Sequence, residues 1–150
     1  MKKLLAITVI ILLFSLETMA QVEYKVITSV ESIVPAGLGR SRIISAEEER
    51  DYKEFTSEQT EDDNSRNKSK RSDIRVKDFE ETKLLNFYNL GGIRFQNIAA
   101  NDAVISSKIN GMITDGWELA FVTSAVESDS GKDDGNGIFI TRYIFKRNNN

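Results

Sequence analysis

The sequence predicts an α+β fold: a small antiparallel sheet with one main helix packed on one face, an N-terminal hairpin and a long charged insertion. Three observations lead there. Segments in which apolar and polar residues alternate with period two recur near the start and the end of the chain. The stretch 102–115 places its apolar residues at helical spacing instead. Residues 47–73 carry sixteen charged side chains and only two hydrophobic ones, Tyr52 and Phe55.

Taken in order, the chain begins with an address. Lys2 and Lys3 precede an apolar run from Leu4 to Leu16, and Thr18-Met19-Ala20 has the small-x-Ala form of a cleavage site. This is the pattern of a secretory signal peptide, residues 1–20, cut after Ala20. The apolar run is shorter than the roughly 20 residues a spanning helix needs. The expectation is an exported protein, periplasmic or secreted, with no membrane attachment once the leader is gone. A single domain over 21–147 follows, and Asn148 to Asn150 read as a disordered tail.

Val22 to Val34 reads as a strand, with Tyr24, Val26, Thr28 and Val30 on one face and Glu23, Lys25, Ile27 and Ser29 on the other. Pro35 to Gly39 supplies turn chemistry, and Arg42 to Ala46 returns as the second arm of a hairpin. From Glu47 to Asp63 there are nine acids and two bases; from Asn64 to Lys77 there are six bases and one acid. Such a segment has too little apolar surface to offset its ordering entropy and reads as a disordered charged loop over 47–73. Lys83 to Leu90 is ambiguous between helix and strand; its short length and flanking aromatics favour strand.

Asn101 or Asp102 can cap the main helix. Val104, Ile105, Ile109, Met112 and Ile113 form its apolar face, and Gly116 stands where a C-terminal cap belongs. Trp117 to Val126 is then a strand with Trp117, Leu119 and Phe121 on the face that meets the helix. Ile138 to Arg147 is the last strand, with Phe139, Tyr143 and Phe145 opposed to Ile138, Ile140 and Ile144.

Three pieces of this pattern carry a resemblance. Glu23-Tyr24-Lys25-Val26, Asp115-Gly116-Trp117-Glu118-Leu119 and Phe145-Lys146-Arg147 resemble a small bacterial domain family of unknown function that reads EYKV, a helix, GWELV and FKR. The match covers somewhat under half of the mature chain. It departs in the long stretch between the first strand and the helix. The resemblance implies a compact α+β fold and carries no catalytic residues.

Composition limits the chemistry. The chain has no Cys and no His, which excludes Cys/His zinc sites, disulfides, Cys nucleophiles and Ser-His-Asp triads. A formal charge of −3 gives no basic footprint for nucleic acid. The acidic, Gly-rich loop 127–137 offers Asp129, Asp133 and Asp134 as oxygen ligands for calcium, although it lacks the spacing of a calcium-binding loop and Lys132 sits inside it. Arg40 and Arg42, beside Gly37 and Gly39, could hold a phosphate or carboxylate. Trp117 could be a platform for a sugar or peptide, or a core anchor. Ser65-x-x-Lys68 matches a serine-enzyme pattern but lies in the most polar segment, and Glu80-Glu81 are neighbours that a strand would point apart.

The leading expectation is an exported, non-enzymatic envelope module that binds another protein or itself, with no cofactor. An exported small-ligand or calcium binder is the alternative. An acid-based hydrolase, whose carboxylates meet only in the folded state, is the third.

Overall fold

The computed structural model describes residues 21–33, 41–127 and 137–149. Residues 1–20, read above as a signal peptide, residues 34–40 with Arg40, and Asp129, Asp133 and Asp134 lie outside the described residues.

The fold is α+β. Five antiparallel strands form the main sheet: β1 (Gln21–Ser32), β2 (Arg42–Ala46), β3 (Phe79–Lys83), β6 (Glu118–Val126) and β7 (Ile138–Asn149), in the order β3-β2-β1-β7-β6. Two short strands, β4 (Tyr88–Asn89) and β5 (Gly92–Ile93), pair apart from it. A 3-10 turn (Tyr52–Phe55) and one turn of α-helix, α1 (Arg71–Ile74), lie between β2 and β3, and the long helix α2 (Phe95–Thr114) leads into β6. Because β3 is at one edge and β6 at the other, α2 crosses the sheet between them and covers one face.

The N-terminal hairpin forms as expected, with Ile27 opposite Ser45 and Val30 opposite Arg42. The side it buries is the one that carries Lys25, Ile27 and Ser29. Ile27 and Ile43 are almost fully buried and share a cluster with Leu84, Met112, Trp117 and Phe145. Val104, Ile105, Ile109, Leu119 and Tyr143 pack against it. Ser29 and Ser45 lie among these residues, and their buried hydroxyls have no hydrogen-bond partner among the described residues. Strand β7 reaches Asn149, so Asn148 and Asn149, read from sequence as tail, pair with Val22 and Gln21.

Four sequence expectations are corrected. The helix begins at Phe95, not near residue 102, and Asn101 is a buried residue inside it rather than its cap. Its side chain accepts a hydrogen bond from Leu85 N (2.8 Å) and donates to Leu85 O (2.7 Å) and Glu31 Oε1 (2.9 Å). A side-chain amide used in this way satisfies a backbone segment that no strand pairs. That explains the second correction: Leu84 to Phe87 is neither helix nor strand, but a segment stitched to α2 by Asn101 and by Asn97, which donates to Asn86 O (2.6 Å). Third, Ile113 is 52% exposed. The inward stripe of α2 runs through buried Asn101 and Met112 and half-buried Ile105, and one residue beyond Met112 lies roughly 100° round the helix.

The fourth concerns β6. Leu119 is opposite Phe145, but Phe121 is opposite Ile144, so Ala120 is an extra residue in the ladder. A bulge of this kind reverses the alternation beyond it. Leu119 stays on the helix side, while Phe121 turns to the other face and is 60% exposed.

The helix ends as expected. Gly116 has φ 85°, and the chain reverses with Gly116 N bonded to Ile113 O and Trp117 N to Met112 O, both at 3.0 Å. This is a Schellman cap, with Trp117 and Met112 joined in the core cluster.

Residues 47–78 form an excursion between β2 and β3, with no buried residue. Its neck is tied. Glu47 N donates to Asp78 O (3.0 Å), and the Glu48 carboxylate accepts from Lys77 N (3.0 Å) and Asp78 N (2.7 Å). Arg50 bonds Glu48 and also reaches Arg75 O (3.1 Å). These bonds offset part of the entropy of closing a long loop.

Candidate functional site

The sequence-predicted ligand residues do not come together among the described residues. Arg42, on β2, pairs with Glu81 across to β3. Trp117 is 8% exposed and part of the core. Arg147 lies over its indole at 4.3 Å from the ring centre and also meets Glu23 at 2.8 Å. Lys146 pairs with Glu118 at 3.2 Å. The β1–β7 register brings Glu23 opposite Arg147, Tyr24 opposite Lys146 and Lys25 opposite Phe145. The three separated pieces EYKV, GWEL and FKR therefore meet at one end of the sheet. Their contacts are those of a structural joint: a cation over an aromatic ring, two ion pairs and a buried Phe. In the charged excursion, the Glu48 carboxyl is held below its ordinary range, first by the Asp78 backbone N–H, then by Arg50 and the Lys77 N–H. Asp63 is lowered by its bonds from Ser65. Both anions serve local loop geometry.

Of the two edges of the sheet, β3 carries Glu80, Glu81 and Lys83, whereas β6 is uncharged from Ala120 to Val126. Strand β6 pairs with β7 on one side only and forms an edge of the sheet. Every residue from Ala120 to Val126 is exposed, and none is charged. A long, exposed, uncharged edge presents unpaired backbone donors and acceptors and is a template for another strand. On the side away from α2, exposed Val26 and Phe121 flank Ile144 in one row across β1, β7 and β6, which adds apolar surface beside that edge.

On the helix side the edge borders a groove of about 480 Å³ between β6 and the N-terminal half of α2. Phe87, Ile98, Val126 and Phe139 supply its apolar lining, and Glu31 and Asp102 its two carboxylates. The register builds its floor in rows. Glu31, Phe139 and Val126 lie side by side across β1, β7 and β6, and Ser29, Thr141 and Ser124 form the next row. The rings of Phe87 and Phe139 are 5.6 Å apart, tilted by 59°, and close one end.

No protein-family model, no curated protein and no solved structure matches the chain. The site is therefore read from its own geometry. Sequence reasoning missed the groove because strand order and the start of α2 are both needed to bring Glu31, Phe87, Ile98 and Val126 together. One signal was available: Leu119 to Val126 is an uncharged stretch of eight residues between the helix and the 127–137 loop.

Proposed function

We propose that the chain, freed of residues 1–20, is an exported, non-enzymatic module that engages another protein through the β6 edge. The observation that carries this reading is the run Ala120 to Val126: seven consecutive exposed residues, without a charge, on an edge strand. Natural sheets blunt such edges with charges, proline or short strands. Here the bulge at Ala120 lies at the start of the edge, and beyond it the register runs unbroken from Phe121 to Val126. An edge kept open in this way has its explanation in a partner that closes it.

The chain has no cysteine, so a single introduced thiol is a unique attachment point. Thr123→Cys, carrying a photo-crosslinker and produced in its native cell, should yield a discrete adduct of higher mass in the envelope fraction. Asn110→Cys, on the exposed back of α2, should not. Equal adducts at both positions, or none at Thr123→Cys, would overturn the reading.

A further inference from the structure

We infer that the β6 edge and its groove take an extended peptide of apolar and basic character, added as a sixth strand. The inference rests on the reading of β6 as the contact edge and specifies what occupies it. A strand laid beside β6 continues the cross-sheet rows, so every second side chain of the incoming peptide falls on the helix side, above the groove. Next to Val126 and Phe139 that position is apolar, bounded by Phe87 and Ile98. The charged side chains that line the groove among the described residues are both acidic. Glu31 and Asp102 line the groove, and Glu118 and Glu127 stand at the two ends of the edge, while Arg142 lies opposite Thr123 on β7.

This distribution argues against a second copy of the chain. A two-fold antiparallel pair centred between Val122 and Thr123 would bring the Glu118 end of each copy to the Glu127 end of the other. Like charges directly opposite on paired strands are destabilising. Lys146 offsets Glu118 on its own strand pair, but Glu127, Glu31 and Asp102 have no ion pair with a base among the described residues. A peptide with lysine or arginine at its ends and small apolar residues between them fits both the edge and its charge.

The test uses the mature chain and an end-capped peptide that alternates threonine with valine and carries lysine at both ends. Amide hydrogen exchange of residues 120–126 is the readout, at peptide concentrations up to about 1 mM. We expect the lysine peptide to slow exchange in β6 by about tenfold or more. The same peptide N-methylated along one edge should have no such effect, since it cannot complete a ladder. A counterpart with glutamate ends should bind at least about fivefold more weakly, and Asp102→Lys should reverse that preference. Failure of the lysine peptide to slow β6, or slowing that ignores N-methylation or charge, overturns the inference. If β6 is already protected in the free chain and the chain is a dimer, a second copy holds the edge. That result overturns the peptide assignment and leaves the contact-edge reading standing, whereas absence of the Thr123→Cys adduct removes the reading beneath both.

Discussion

Phe145 and Phe121 lie on neighbouring strands and have opposite surroundings. Phe145, on β7, is 1% exposed at the centre of the core; Phe121, on β6, is 60% exposed. Both come from segments with the same alternating pattern, and both would be assigned to the core from sequence. Two features separate them. Strand β7 has neighbours on both sides, whereas β6 has one. The extra residue at Ala120 then turns Phe121 away from α2. An apolar residue in a strand is thus not a core residue by composition alone. Its burial depends on strand order and on register, and a shift of one residue sends the side chain to the other face.

The sharpest way to break this comparison is to truncate both rings. Phe145→Ala should cost about 3–5 kcal/mol, the usual range for emptying a buried aromatic site. Phe121→Ala should change stability by no more than about 0.5 kcal/mol, as for an exposed position. Chemical denaturation of the two variants measures both, and similar losses would show that β6 is packed on both faces.

The next largest effect is expected at Asn101. Asn101→Ala leaves the N–H and C=O of Leu85 without their partner and removes a donor from Glu31. We expect a loss of about 2–3 kcal/mol, because buried polar groups are left unpaired. This sharpens the comparison from the other side of the groove, since the stitched segment 84–87 carries Phe87. A loss below about 0.5 kcal/mol would show that the stitch is not needed.

Gly111 of α2 gives a smaller effect. It is exposed within α2, with open space where a Cβ would stand. Gly111→Ala should raise stability by about 0.5–1 kcal/mol through helix propensity and reduced freedom of the unfolded chain. A thermal melt that falls instead would contradict the open space at this position.

The smallest effect concerns the neck of the excursion. The Glu48 carboxyl is lowered in the folded state, so its contribution is complete above the ordinary carboxylate range and is lost as pH falls through the lowered value. The protection of the Lys77 and Asp78 amides, relative to their intrinsic exchange, should fall in that acidic window. In Glu48→Gln the acid step should disappear. Acceleration on raising the pH, beyond the intrinsic base catalysis of exchange, would contradict the sign.

How much was legible can be followed through the same residues. The C-terminal end of α2 was readable because Gly116-Trp117 is a local signal: the cap needs a positive φ, and the indole that follows closes over the last turn. The N-terminal end was not, because Arg94 provides no capping side chain and the start depends on packing with 84–87. Asn101 was misread for a related reason. Asparagine before an apolar face is a local cap signal, but here its amide serves a segment sixteen residues away in sequence. The bulge at Ala120 carries no glycine or proline to announce it. The charged excursion was readable from composition, and the neck that ties it was not, since Glu48 meets Lys77 and Asp78 only once β2 and β3 pair. The joint at Trp117, Arg147 and Glu23 was visible as three motifs, but not as one cluster.

The most direct measurement is native-state hydrogen exchange on the mature chain alone, in dilute solution. If β6 is a free edge awaiting a strand, alternate amides from Phe121 to Val126 exchange rapidly while those of the central β7 segment from Ile140 to Phe145 are among the slowest in the chain. Uniform slow exchange across Phe121 to Val126 in a monomer would contradict it, because the edge would then already be closed.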